Sequence, residues 1–126
     1  MKFIFLALLF LTGIVYSQQE EKEPEYDMKT YYMVFLYKGP VRDQDSVEVQ
    51  RLQQGHMDNI KRLAKEKKLV IAGPFLHDGD LRGIFIFDVS TQEEAEKLCN
   101  SDPAIIAGRL RYEIYPWMSA RGSTLP

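Results

Sequence analysis

Cysteine is almost missing from this chain. Cys99 is the only one in 126 residues, which excludes an internal disulfide and leaves stability to the core. A lone cysteine of this kind is read as a small buried hydrophobe rather than a reactive thiol. Positive charge is not in excess either: 16 Lys and Arg face 18 Asp and Glu, interleaved along the chain, so a nucleic-acid partner has no electrostatic footprint here. No apolar run approaches the roughly 20 residues of a membrane-spanning helix. A glycine-rich phosphate loop, a nucleophile elbow and a cysteine pair are all absent, and nothing in the residues calls for a cofactor.

What is present begins with a leader. Lys2 precedes the apolar residues 3–11, and small and turn-tolerant residues then reach Val15, Tyr16 and Ser17. That order predicts a signal peptide over residues 1–17, cleaved before Gln18, and so an exported protein, periplasmic or secreted, with no membrane attachment afterwards. Losing Lys2 would move the formal net charge from −2 to −3. Residues 18–29 are charged, contain Pro24 and offer no apolar face, so a disordered tether is expected there. The remainder suits one domain, residues 30–117, followed by a tail over 118–126.

Within that domain the periodicity alternates between two and about 3.6. Residues 31–37 predict a strand apolar on both sides, with Tyr31, Met33, Phe35 and Tyr37 on one and Tyr32, Val34 and Leu36 on the other. From Asp45 to Lys68 the pattern turns helical, placing Val49, Leu52, His56, Ile60 and Leu63 on one side, with Asp45 as an acidic cap. Unbroken, this helix would run about 33 Å against strands of about 20 Å, so a break is expected at Gly55, with His56 in the first turn of the docked segment. Residues 69–72 and 82–89 predict the second and third strands, the Gly73-Pro74 and Asp78-Gly79 turns falling between them. Ser90 is expected to cap a second helix through Ser90-Thr91-Gln92-Glu93, with Ala95, Leu98 and Cys99 inward. Pro103 starts a short helical turn that Gly108 stops, and residues 110–115 form the fourth strand.

The order β-α-β-β-α-β with right-handed crossovers gives an α+β fold: a four-stranded antiparallel sheet, spatial order 4-1-3-2, with both helices on one face. One sheet edge then gathers the start of the first helix, the Gly73-Pro74 turn, residues 78–82 and the end of the second helix. His56 and Asp102 meet there although distant in sequence. The helix-free face still carries apolar residues, and Phe85, Phe87 and the two-sided first strand predict a homodimer through it.

These pieces together resemble the YCII-related (YciI-like) proteins, of the dimeric ferredoxin-like α+β barrel type. The resemblance rests on Gly55-His56-Met57-Asp58-Asn59, Ala72-Gly73-Pro74-Phe75, Asp78-Gly79-Asp80-Leu81-Arg82-Gly83, the Ser90 cap, Asp102-Pro103 with Ala107-Gly108, and Tyr115-Pro116-Trp117. It implies a small cleft in which a histidine and an aspartate, here His56 and Asp102, act as an acid-base pair. It also implies kinship to an enzyme that eliminates HCl from a chlorinated hydroxyquinol. The leader and acidic tether depart from the family's pattern, so a cytosolic role does not carry over.

Each candidate has a plainer alternative. A histidine between Leu52 and Ile60 can be a satisfied core residue, although its ordinary pKa near 6.5 suits acid-base work. Asp102 can simply cap the turn after Pro103. Asp80 and Arg82, with Gly73 and Pro74, are candidates to hold a polar ligand, or belong to a solvated turn. His77, Asp78 and Asp80 lie too close together for a metal site, and no metal is expected. Two functions remain: a cofactor-free lyase or isomerase that moves a proton on a small organic molecule, and a noncatalytic ligand-binding or structural homodimer.

Overall fold

A computed structural model describes residues 22–126. The expected signal peptide and the first residues of the tether lie outside the described residues. The elements run β1 (Met28–Lys38), α1 (Ser46–Lys65), β2 (Leu69–Pro74), β3 (Leu81–Phe87), α2 (Gln92–Cys99), α3 (Pro103–Ile106) and β4 (Leu110–Ala120). The sheet order β2-β3-β1-β4, antiparallel throughout, is the one the crossover rule predicts.

Register decides which residues form the core. Val34 stands opposite Phe85 on β3 and Ile114 on β4, so these side chains share the helix-covered face. Phe85, Phe87, Val34 and Leu36 pack there with Leu63 of α1 and Ala95, Leu98 and Cys99 of α2. The open face instead receives Met33, Phe35, Ile84, Ile86, Tyr115 and Trp117, with Phe35 edge-on to Tyr115 at 5.9 Å. Phe85 and Phe87 therefore do not face outward as expected. The third strand alternates, and its phenylalanines are in register with the buried side of β1.

The first and last strands of the chain, β1 and β4, are longer than the sequence pattern suggested. Met28 pairs with Ala120 and Thr30 with Met118, so the end of the supposed tether and the start of the supposed tail close one ladder. The backbone N–H of Arg121 extends it by donating to the Asp27 carbonyl at 2.7 Å. This is why α1 does not break. Strands of 11 residues span about 36 Å and accommodate a 20-residue helix of about 30 Å without division.

Asp45 caps α1 by accepting from the Glu48 N–H at 2.8 Å, and Leu52 and Leu63, both fully buried, anchor the helix on either side of Gly55. Burial of each leucine contributes about 1.5–3 kcal/mol, which outweighs the roughly 1 kcal/mol that an internal glycine costs. Gly55 is needed for clearance: a Cβ there would stand 2.9 Å from Cγ of Pro103, so its absence lets α3 dock on α1. His56 consequently lies midway along α1 rather than in a first turn. The cap of α2 is also displaced by one residue. Thr91, not Ser90, accepts from the Glu94 N–H at 3.1 Å, while the Ser90 N–H reaches the Glu94 carboxylate at 3.4 Å. After α3 the chain turns at Gly108, whose φ of +72° favours glycine, and enters β4.

Candidate active site

Three elements place the central pair. The inward stripe of α1 carries His56, the end of α2 leads into Asp102, and α3 begins at Pro103 directly against Gly55. Nδ1 of His56 lies 2.6 Å from Oδ2 of Asp102, with the aspartate side chain fully buried and the histidine 13% exposed. The other carboxylate oxygen, Oδ1, accepts from the Ala104 N–H at 2.9 Å and caps α3. Asp102 thus bonds His56 and caps α3 at once, each through its own oxygen.

A further layer holds the carboxylate. The Asn59 amide donates to Oδ2 at 3.4 Å, and Arg62 donates to the Asn59 carbonyl oxygen at 2.7 Å, which orients that amide towards Asp102. Asn59 is three residues past His56, so the helical period placed it on the same stripe. It was legible there but not singled out. Phe85 lies against the imidazole, ring centroids 5.8 Å apart and planes 26° from parallel, which restrains its tilt. With a carboxylate accepting at Nδ1, the ring N–H sits on that atom, and Nε2 is left as the nitrogen able to take or return a proton.

His56 lines a cleft of about 380 Å³ between α1 and the sheet edge. Leu36, Leu52, Ile60 and Phe85 give it apolar walls, and Gly73, Pro74 and Arg82 line it as the sequence suggested. Arg82 also donates to the carbonyls of His77 at 3.3 Å and Gly79 at 3.2 Å, holding the loop before β3.

Asp80 is not part of the cleft lining. Its carboxylate accepts from Arg111 at 3.0 Å, and Arg111 stacks over Tyr37 on the open side of the sheet, which draws the aspartate there. Two residues absent from the sequence-derived set take its place. Arg42, from the loop after β1, and Arg109, just ahead of β4, both line the cleft. Arg42 donates to the Arg109 carbonyl at 2.8 Å, and Arg109 to the Gln44 side chain at 3.1 Å. The Arg42 guanidinium is held below the usual arginine range by desolvation, then by the positive charges of Arg109 and Arg82. Arg109 directly follows the Gly108 stop at the predicted edge, and that adjacency was the available signal.

Cys99 stays buried among core residues. Burial, and next the negative charges of Asp102 and Glu96, push its thiol up to about 12, so it is protonated and unreactive near neutrality. Among the described residues no three His, Cys, Asp or Glu side chains converge into a metal-binding group.

The fold has counterparts among solved structures. No curated protein matches the chain. Among solved structures, it is similar to the 5-chloro-2-hydroxyhydroquinone dehydrochlorinase of Burkholderia phenoliruptrix in complex with 2,5-dihydroxybenzoquinone. The two are 20% identical with a TM-score of 0.53, over 69% of this chain and 92% of that one. It is also similar to muconolactone isomerase, at 14% identity and a TM-score of 0.59 over 76% and 96% of the respective chains. At such identities the likeness is one of fold, the ferredoxin-like α+β arrangement. The YCII-related domain matches residues 30–118, nearly the whole of the described fold including His56 and Asp102, and on that match the chain belongs to the YCII-related family.

Proposed function

We propose that the protein is a cofactor-free acid-base enzyme of the lyase or isomerase type, acting on a small organic molecule in the cleft beside His56. The observation that carries this is the 2.6 Å bond between a cleft-lining imidazole and a fully buried carboxylate. A histidine that only filled the core would not need one nitrogen held by a carboxylate while its ring lines an open cleft. Family membership supports the proposal, and so do the names of the two structural neighbours, a dehydrochlorinase and an isomerase, both of which denote elimination or rearrangement on small cyclic molecules.

In the proposed mechanism Nε2 of His56 removes a proton from a carbon or hydroxyl of the bound molecule. Asp102 keeps the Nδ1 proton in place and stabilises the imidazolium that forms. Return of the proton to a different atom completes an isomerisation. Its return to solvent, with departure of an anionic leaving group, completes an elimination. Asn59 and Arg62 act as positioning residues through Asp102. We also propose that the protein works as a homodimer through the open sheet face, where Tyr115 and Trp117 remain 51% and 40% exposed.

The test is a turnover screen over small cyclic carbonyl and phenolic compounds, followed by His56→Asn. Loss of a positioned acid-base group should lower the rate by about 10²–10⁴-fold, with an unchanged circular dichroism spectrum. Undiminished turnover in that variant would refute the proposed role of His56. Ligand-induced stabilisation without turnover of any compound would instead mark a binding protein.

A further inference from the structure

Three arginines line a cleft whose lining contains no carboxylate: Arg42, Arg82 and Arg109 share it with His56, which lies midway along α1. They come from three separate places in the chain, the β1–α1 loop, the start of β3 and the approach to β4. Their hydrogen bonds go to neutral acceptors, the carbonyls of Arg109, His77 and Gly79 and the side chain of Gln44. Among the described residues the carboxylate nearest any of them is Asp78, 3.9 Å from Arg82 and itself 95% exposed, too distant and too solvated to neutralise the group. Each guanidinium has five N–H donors in a planar fork, so most of the donors in this cluster are unassigned.

Like charges gathered this closely repel one another, and mutual repulsion is a cost that an anion removes. The same wall continues into Leu36, Leu52, Ile60 and Phe85, which suit a ring or short hydrocarbon body. The two surfaces together fit a compact molecule with a charged end and an apolar end.

We propose that the molecule handled at His56 is an organic carboxylate, its carboxylate held by Arg42, Arg82 and Arg109 and its carbon skeleton lying over Phe85 beside Nε2 of the imidazole. This rests on the acid-base role given to His56, and it adds the substrate's charge. The arginine cluster is also a positioning device: fixing one end of the ligand decides which carbon meets Nε2.

Binding, not turnover, is the measurement that tests it, because binding can be followed whether or not His56 is catalytic. The probes are a panel of ring carboxylates headed by benzoate and 2,5-dihydroxybenzoate, their primary amides as uncharged counterparts, and inorganic phosphate. Calorimetric titration of the full mature chain, and of the His56→Asn variant, is expected to show carboxylates binding at least about tenfold more tightly than the matching amides, the scale of one charge-assisted bond. Arg42→Gln with Arg82→Gln should erase that preference. Arg109→Gln alone, if the double variant fails to fold, should reduce it.

Equal binding of acid and amide, a preference that survives loss of the arginines, or no binding of any acid at millimolar concentration would overturn the proposal. Tight phosphate binding without any carboxylate would overturn it too, by assigning the arginines to phosphoryl groups. A catalytically dead His56→Asn that still prefers acids separates this outcome from failure of the acid-base role.

Discussion

The two faces of the sheet are built from similar residues and come to different ends. On one, Val34, Phe85 and Phe87 lie under α1 and α2 with essentially no solvent contact. On the other, Phe35, Ile84 and Tyr115 pack among themselves, and Tyr115 stays half exposed. Hydrophobicity alone does not distinguish them; the alternation of the strand and the position of the helices do. The polar chemistry follows the same division. His56, Asp102 and Asn59 belong to the helix-covered side, where a surrounding shell can fix their orientation. The charged pairs of the open side, such as Arg111 with Asp80, remain solvated.

Truncation at the covered face is expected to give the largest effect. Phe87→Ala should cost about 3–5 kcal/mol, the usual range for a fully buried aromatic, visible as a lower midpoint in urea unfolding. A loss below 1 kcal/mol would mean that the covered face is not the main source of stability.

A pH-dependent effect, small near neutrality, belongs to Cys99 on the same face. Burial raises its thiol from 9.0 to about 12, so the unfolded chain ionises first as the solution becomes alkaline. Its contribution is complete below pH 9 and is lost as pH rises towards 12, at up to about 1.4 kcal/mol per pH unit. Cys99→Ala has no such group. The stability gap between parent and variant should therefore narrow over that window in paired melts, and a constant gap would mean that the site is wetter than its packing indicates.

The smallest change in intrinsic stability is expected at the open face. Tyr115→Ser should alter unfolding of the dilute monomer by about 0.5 kcal/mol or less. Light scattering at micromolar concentration should nonetheless show the parent as a dimer and the variant shifted towards monomer. A monomeric parent would withdraw the homodimer from the proposed function.

Much of this architecture was legible because it follows from few rules. Alternating periods gave the element order, handedness gave the sheet order, and antiparallel packing then brought His56 to Asp102. What escaped depended on partners. Residues 28–29 and 118–120 look like loose ends until they are paired, 28–29 with the tail and Met118 with Thr30, each supplying the ladder the other lacks. Gly55 resembles a helix breaker until Pro103 is placed against it. Arg42 and Arg109 carry no local motif, and their meaning arises only where three chain segments converge. Phe85 and Phe87 were placed on the wrong side because a strand apolar on both faces has no alternation of polarity to set its register, whereas pairing with β1 does.

One carboxylate joins two kinds of order. Because Oδ1 of Asp102 caps α3 while Oδ2 holds His56, fraying of α3 loosens the carboxylate that orients the imidazole. The amide proton of Ala104 thereby becomes a gauge of the proposed acid-base pair: its exchange with solvent deuterium would be timed by the same local opening that loosens Asp102. Heat or denaturant could disarm the site by fraying a four-residue helix long before the sheet melts.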